Sequence, residues 1–143
     1  MTDVPARSWL FVPGDSDKKL CNAEKTNADA LILDLEDSVS ATNKSIAREK
    51  VLAYLSAHPR CNRTTLFYVR INPLDDTALI DLAAIMAGNP DGIMLPKTTS
   101  ADDVRTLSLW LDAFEATHEI AQGSTRILPV GTETAAGTLK LME

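Results

Sequence analysis

Short apolar runs alternate along the chain with longer stretches that have helical periodicity. Each run is four to six residues long and almost continuously apolar. This pattern is typical of strands covered on both faces of a sheet rather than of half-exposed strands. The runs are residues 9–12, 30–33, 66–71, 92–95 and 127–130. We therefore predict five buried β-strands.

Between the runs, apolar residues recur at spacings of three and four, which predicts amphipathic helices. A weaker helix is expected to begin near Asp15 or Ser16 and to end at about Asn27. Ser100 and Asp103 have the spacing of a capping box at the start of the last stripe. The three clearer stripes contain Ala47, Val51, Tyr54 and Leu55; Ala78, Leu79, Leu82, Ile85 and Met86; and Val104, Leu107, Leu111 and Phe114.

Strands that alternate with helices indicate an α/β fold with a parallel sheet and right-handed crossovers. Two architectures remain open. About five β/α units would complete a flavodoxin-like five-stranded parallel sheet. A TIM (β/α)8 barrel has eight strands and typically about 250 residues, so this chain of 143 residues would supply about the first five units. Residues 138–143 are amphipathic and carry no helix stop signal, which favours a single domain over 1–143 as the N-terminal portion of a barrel.

Charge and composition narrow the classes of partner. A net charge of −6 and a pI of about 4.9 argue against binding to nucleic acid or to an anionic membrane. The first residues lack the apolar core of a signal peptide, and no apolar stretch approaches the roughly 20 residues of a membrane span. Cys21 and Cys61 lack metal-site spacing and are interpreted as free thiols. We therefore expect a cytoplasmic protein.

Charged residues follow the carboxyl end of every predicted strand. Ligands of parallel α/β sheets bind at these ends in either architecture. The exits read Pro13-Gly14-Asp15, Asp34-Leu35-Glu36-Asp37, Arg70-Ile71-Asn72, Pro96-Lys97 and Gly131-Thr132-Glu133. Charges of both signs on one rim indicate a metal ion and an anionic substrate that are held together.

The residue types at this rim suit enolate chemistry. Asp34, Glu36 and Asp37 repel one another, so they need a cation or hydrogen-bond donors. Glu133 stands alone at its strand end and is the better candidate for a direct Mg²⁺ ligand, with the acidic trio adding a ligand or holding metal-bound waters. Arg70 is a rigid fork for a carboxylate or an enolate oxygen. Together they suit the making or breaking of a carbon–carbon bond beside a carbonyl.

Structural roles remain open for the same residues. The acidic trio is also compatible with helix capping or with surface lysine partners. Arg70 is compatible with an ion pair to one of these carboxylates, and Glu133 with the first turn of a helix. Lys97 is compatible with a solvated lysine at a strand end.

Five segments in a fixed order resemble the citrate lyase β-subunit and malyl-CoA lyase-like family of the HpcH/HpaI aldolase superfamily. They are RSWLFVPG (7–14), ADALILDLEDSV (28–39), VRIN (69–72), GIMLPK (92–97) and ETA (133–135). The resemblance covers nearly the whole chain. It implies a TIM-barrel, Mg²⁺-dependent carbon–carbon lyase that cleaves or forms a 3-hydroxy-acyl thioester (citryl- or malyl-CoA-like) through an enolate.

The resemblance also implies partners: an oxo-acid such as oxaloacetate or glyoxylate, and a thioester carried by CoA or by an acyl-carrier protein. It further implies a homo-oligomer. By position, Glu133 corresponds to a magnesium ligand, and Arg70 to the residue that binds the oxo-acid and steadies the enolate. Glu36 and Asp37 correspond to catalytic acidic support around the metal.

The thioester carrier is expected near Phe11, Pro13 and Gly14 and near a lysine on the first helix, for which Lys25 is the candidate. Lys97 is a further candidate for substrate binding. The family's second metal-binding Asp follows a sixth strand and is expected beyond the chain end. We therefore expect half a site, with weak Mg²⁺ binding and little turnover by this chain alone.

Two alternatives to an active lyase remain. One is a non-catalytic relative or a truncated, inactive fragment. The other is a receiver-type phosphoacceptor domain, which has a similar length. Receivers place their paired acids after strand one, an Asp after strand three and a Lys after strand five. The corresponding exits here carry Arg70 and Glu133, which disfavours this alternative.

Overall fold

The computed structural model describes residues 6–23 and 25–140, and these contain one five-stranded sheet. The strands are β1 (Trp9–Pro13), β2 (Ala30–Asp34), β3 (Leu66–Arg70), β4 (Gly92–Leu95) and β5 (Arg126–Pro129). Every neighbouring pair is parallel, and the strand order in the sheet is the order in the chain. The five predicted strands are thus confirmed, with ends that differ from the prediction by at most one residue.

A helix follows each strand: α1 (Asp17–Ala23), α2 (Lys44–Ala57), α3 (Ala78–Ile85), α4 (Ala101–Thr117) and α5 (Ala135–Lys140). Short 3-10 turns lie at Ala41–Asn43, Arg60–Asn62 and Met86–Gly88. The capping box is confirmed, since Asp103 Oδ2 accepts the backbone N–H of Ser100 at 3.1 Å. The first helix is shorter than predicted, because the N–H of Thr26 turns back to the carbonyl of Ala23. Residues 141–143, part of the predicted last helix, lie outside the described residues.

The sequential strand order decides between the two architectures. A flavodoxin-like sheet has the order 2-1-3-4-5, with helices on both faces. Right-handed crossovers between successive neighbours instead place all helices on the same face. The core on that face joins sheet and helix residues, among them Leu33, Val69, Ile93, Val51, Leu82 and Leu107. The flavodoxin-like alternative is therefore wrong, and the sheet is part of a TIM-type barrel.

The opposite face of the sheet is the inner face of this barrel. It carries a separate apolar cluster of Ile32, Tyr68 and Met94, which alternate along the strands with the helix-facing residues. At the carboxyl ends of β2 and β3 the same face continues with Asp34 and Arg70, which are direct register partners. The alternation of the strands therefore brings opposite charges together at the rim.

Burial differs between the central strands and the edge strands of the sheet. β2 and β4 are buried along their whole length, as predicted. In β1, however, residues Trp9, Leu10 and Phe11 are exposed, and β5 is only partly covered. These strands lie at the two edges of the sheet and each pairs with one neighbour. The expectation of burial on both faces is wrong for the edge strands.

Two further expectations can be compared with the fold. Cys21 and Cys61 are free, as the sequence indicated, and both are exposed. Among residues 6–23 and 25–140, no helix combines the length and the apolarity that membrane crossing requires.

Gly92 offers a test of the inner-face packing. It pairs with Tyr68 in register, and a Cβ at this position would overlap the Tyr68 ring. Because the ring is buried, we expect Gly92→Ala to lower the free energy of unfolding by about 1–3 kcal/mol, measured by urea denaturation. In a Tyr68→Leu background the same substitution should cost clearly less. Equal losses in both backgrounds would contradict this packing.

Candidate functional site

A cluster of charged side chains lies at the carboxyl ends of β2 to β5. It contains four carboxylates and two cations, a formal net charge of −2. We call it the rim cluster, and its members are Asp34, Glu36, Asp37, Arg70, Lys97 and Glu133. All six were candidates from the sequence, and the contacts below join them into one group.

Arg70 and Asp34 form the buried centre of the rim cluster. Arg70 Nε donates to Asp34 Oδ1 and Arg70 Nη2 donates to Asp34 Oδ2, both at 2.7 Å. This two-bond geometry is the strongest arrangement for an arginine and a carboxylate. The Asp34 side chain is 1% exposed and that of Arg70 is 13% exposed. The sequence had left open a structural ion pair for Arg70, and this pair is present.

The remaining edge of the Arg70 guanidinium faces the other acids. Its Nη1 lies 3.2 Å from Glu36 Oε2 and 3.8 Å from Asp37 Oδ2. The guanidinium carbon lies 4.7 Å from the centre of the Phe11 ring, a cation–π contact. A guanidinium has five N–H groups, so these contacts fix its plane and still leave donors for a ligand.

Glu36 lies between the two cations of the cluster. Lys97 Nζ donates to Glu36 Oε1 at 2.8 Å. Its other oxygen, Oε2, faces Arg70 and is buried without a well-aligned hydrogen bond. Asp37 differs, since its side chain is 64% exposed. Of the acidic trio, Asp34 is thus engaged by Arg70, Glu36 is shared, and Asp37 is open to solvent.

Glu133 joins the cluster through the main chain of Lys97. The Lys97 N–H donates to Glu133 Oε2 at 2.6 Å, and the Glu133 side chain is exposed. Within the described ranges, no group of three or more His, Cys, Asp or Glu side chains is arranged to hold a metal ion. The described residues therefore bring Glu133 to the rim without a complete set of metal ligands.

Lys44 of α2 supports the backbone of residues 35–36, on the side away from the rim, a role that was not predicted from the sequence. Its Nζ donates to the carbonyls of Leu35 and Glu36 and to Asn72 Oδ1, each at 2.7 Å. These three bonds use all three hydrogens of the ammonium group. The backbone that carries Glu36 is thereby tied to α2 and to the end of β3.

Asp81 anchors this network inside the protein. It is buried and accepts Arg48 Nε, the Asn72 backbone N–H and Asn72 Nδ2, each at 2.7 Å. A carboxylate within the apolar stretch of α3 was the signal that could have revealed it, because buried carboxylates need partners. Arg48, Asp81, Asn72 and Lys44 form a support network under the rim cluster.

The residues expected near a thioester carrier lie in two different places. Gly14 is confined, since a Cβ would lie 2.8 Å from the Asp34 carbonyl. Phe11 and Pro13 line an edge groove of about 210 Å³ together with Lys19 of α1. Lys25 lies beyond the end of α1, in the turn before β2. Lys25 was expected on the first helix, which ends at Ala23, so that placement is wrong. Its place near a thioester carrier stays a prediction.

The surroundings of Asp34, Arg70 and Lys97 favour the charged form of each side chain. Burial alone would raise the pKa of Asp34, but hydrogen bonds from Arg70, Ser38 and Glu36 and the charge of Arg70 outweigh it and lower this pKa. The hydrogen bond to Asp34 raises the pKa of Arg70 against its own burial. A hydrogen bond with Glu36 likewise raises the pKa of Lys97. All three groups are thus charged near neutral pH.

The chain is similar to known proteins over nearly its whole length. A sequence model described as HpcH/HpaI aldolase/citrate lyase matches residues 7–143. The chain is 37% identical over 138 residues to citrate lyase subunit beta of Escherichia coli K12, which covers 96% of this chain and 45% of that protein. The chain thus spans about half the length of this curated relative.

Two solved structures are also similar to this chain. The citrate lyase beta subunit from M. tuberculosis, complexed with oxaloacetate and magnesium, is 30% identical with a TM-score of 0.61, covering 92% of this chain and 61% of that one. A magnesium/glyoxylate complex of Haloferax volcanii malate synthase has a TM-score of 0.84 at 16% identity, over 99% of this chain and 47% of that one. The second likeness concerns the fold alone.

Removal of Arg70 tests the buried pair. A carboxylate with a lowered pKa stabilises the fold above its unfolded pKa of about 4 and loses that contribution as the pH falls through its folded value. We expect Arg70→Gln to lower stability by about 3–5 kcal/mol at pH 7 and by less near pH 3, in urea denaturation. Arg105→Gln, which breaks the exposed pair with Asp102, should change little. A pH-independent loss in Arg70→Gln would contradict the assignment.

Removal of Lys44 tests the support network. We expect Lys44→Met to destabilise the protein by about 1–3 kcal/mol, because buried carbonyls lose their donors. Lys50→Met is the matched control in the same helix, since Lys50 pairs with the exposed Asp17 and donates to one carbonyl, that of Asp15 at 3.1 Å, rather than to two. Thermal unfolding of both variants measures the difference, and equal midpoints would count against the network.

Proposed function

The chain belongs to the HpcH/HpaI aldolase/citrate lyase family, and from this we propose that it forms part of a magnesium-dependent carbon–carbon lyase of the citrate lyase β type. The proposed reaction cleaves or forms a 3-hydroxy-acyl thioester, with an oxo-acid such as oxaloacetate or glyoxylate as partner. The observation that carries the proposal is the rim cluster, which has a net charge of −2 and in which a fixed arginine lies beside several carboxylates. Residues 1–143 are proposed to act as one domain, the N-terminal portion of the barrel.

The donor set fits a divalent cation. Carboxylate oxygens are the ligands that Mg²⁺ prefers, and the cluster has an excess of two negative charges. Glu36 Oε2 is buried and lies 3.2 Å from Arg70 Nη1 without a well-aligned hydrogen bond. Glu133 is proposed as a direct ligand, with Glu36 and Asp37 beside it and an Asp expected beyond residue 143. Bound Mg²⁺ would supply positive charge that polarises the oxo-acid carbonyl and stabilises an enolate oxygen.

In the cleavage direction, the hydroxyl on C3 of the thioester loses its proton and the C2–C3 bond breaks. The electron pair of that bond forms the thioester enolate, which takes up a proton at C2, and C3 becomes the carbonyl carbon of the oxo-acid. The remaining Arg70 N–H groups are proposed to donate to the oxo-acid carboxylate and to the oxygen that gains charge. Because Asp34 and Phe11 already fix the guanidinium, little reorganisation accompanies the reaction.

The other rim residues serve substrate binding. Lys97 uses one N–H for Glu36, and its half-exposed ammonium is proposed to donate also to the anionic substrate. Glu36, which contacts both cations, keeps them at a fixed spacing, and Asp37 adds negative charge beside Arg70. The thioester carrier, CoA or an acyl-carrier protein, is proposed to lie along the groove of Phe11, Pro13 and Lys19, next to Gly14. A homo-oligomer in the cytoplasm is part of the proposal.

Binding of Mg²⁺ and glyoxylate tests the function. We expect isothermal titration calorimetry to show that glyoxylate strengthens Mg²⁺ binding. Glu133→Gln should weaken Mg²⁺ binding about tenfold or more, whereas Glu119→Gln, an exposed acid at the end of α4, should not. Arg70→Lys keeps the charge but loses the planar fork, so it should weaken glyoxylate binding.

Unchanged titrations in both Glu133→Gln and Arg70→Lys would contradict the proposed site. The far-UV circular dichroism of each variant controls for folding, since a binding loss with an intact spectrum arises at the rim.

A further inference from the structure

Lys97 has an unusual backbone conformation. Its φ is +51°, in the left-handed region that residues other than glycine seldom adopt. Of the residues that the structure describes, Asn89 and Glu119 are the other non-glycine residues with positive φ, and both follow the end of a helical segment. Left-handed residues are routine at such ends. Lys97 instead lies in the loop between β4 and α4, inside the rim cluster.

The left-handed turn aims two successive N–H groups at the segment after β5. The Lys97 N–H donates to Glu133 Oε2 at 2.6 Å, and the Thr98 N–H donates to the Val130 carbonyl at 3.2 Å. The Lys97 side chain points to the other part of the cluster, with Nζ 2.8 Å from Glu36 Oε1. One residue thus bonds to two carboxylates, one through its main chain and one through its side chain.

The geometry points to Lys97 as a positioning residue, whose backbone N–H orients the Glu133 carboxylate relative to Glu36 and Arg70. This inference rests on the proposed role of Glu133 in metal binding. The Lys97 N–H donates to Oε2 of Glu133. Among the described residues no other hydrogen bond to Glu133 occurs, so Oε1 is left for a ligand. An exposed glutamate would otherwise sample several rotamers, so this bond preorganises it.

Backbone strain at an active site is retained where the surrounding structure enforces it. Here the enforcement comes from both sides of the residue. Pro96 precedes it, and Thr98 is buried, with its hydroxyl bonded to the Leu95 carbonyl at 3.1 Å. The loop therefore holds the N–H of Lys97 toward Glu133 even though a glycine would adopt this conformation at lower cost.

Two substitutions separate the backbone role from the ammonium. Lys97→Gly and Lys97→Val both remove the charge, but glycine accepts a positive φ whereas β-branched valine resists it. We expect Lys97→Val to bind Mg²⁺ about tenfold more weakly than Lys97→Gly, measured by titration calorimetry. Equal affinities of the two variants would overturn the inference.

The matched control is at Glu119, whose φ is +56°. Glu119→Gly and Glu119→Val should differ in thermal midpoint, as is also expected of the Lys97 pair, but should bind Mg²⁺ equally. A difference in Mg²⁺ affinity within the Glu119 pair would show that general destabilisation explains the Lys97 result, and would also overturn the inference.

A second readout needs neither the metal nor a change at Lys97. In ¹H–¹⁵N spectra we expect the Lys97 amide proton to lie downfield and to move upfield in Glu133→Gln, because a short bond to a carboxylate becomes a weaker bond to an amide. An unmoved amide proton would overturn the positioning role. Absence of Mg²⁺ binding by the unsubstituted protein would instead contradict the proposed function, while the amide response still decides the role of Lys97.

Discussion

The rim cluster depends on one requirement, that the buried charge of Asp34 be matched by a cation. Asp34 ends β2 on the inner face of the sheet, where water has almost no access. Arg70 ends the next strand and is its register partner. The strand pairing therefore sets the geometry of the charge pair, since a slip of one residue would turn one member toward the helices. The backbone hydrogen bonds between β2 and β3 therefore place Arg70 beside Asp34.

Two sets of contacts hold the segment after β2 from opposite sides. On the rim, Arg70 and Lys97 contact the Glu36 carboxylate. Behind it, Lys44 binds the carbonyls of Leu35 and Glu36 and is itself positioned by Asn72. The side chain and the main chain of the same residue are therefore fixed by different elements. Such double support gives the precise placement that the proposed role of Glu36 beside the metal requires.

The sequence predicted most of the fold and the membership of the rim cluster. Continuous apolar runs located the strands, and the rule that ligands bind at strand ends brought Arg70, Lys97 and Glu133 together before any contact was known. The exposure of β1 and β5 could not be predicted from their apolar runs, because the hydrophobic pattern of a strand does not show how many neighbouring strands it has. Lys44 was missed because its partners are backbone carbonyls. The left-handed conformation of Lys97 leaves no trace in a Pro-Lys pair.

The sequential strand order also shapes the route by which the site can form. The Asp34–Arg70 contact spans 36 residues, the Lys97–Glu36 contact 61, and the Lys97–Glu133 contact 36. Neighbouring strands in the sheet are neighbours in the chain, which keeps loop closure short and favours early local pairing. The arginine end of the cluster needs only β2 and β3, so it can form while later units are still being synthesised. Among the described residues of the cluster, Glu133, proposed to bind the metal, is the last to be added, after Arg70, proposed to bind the substrate, is in place.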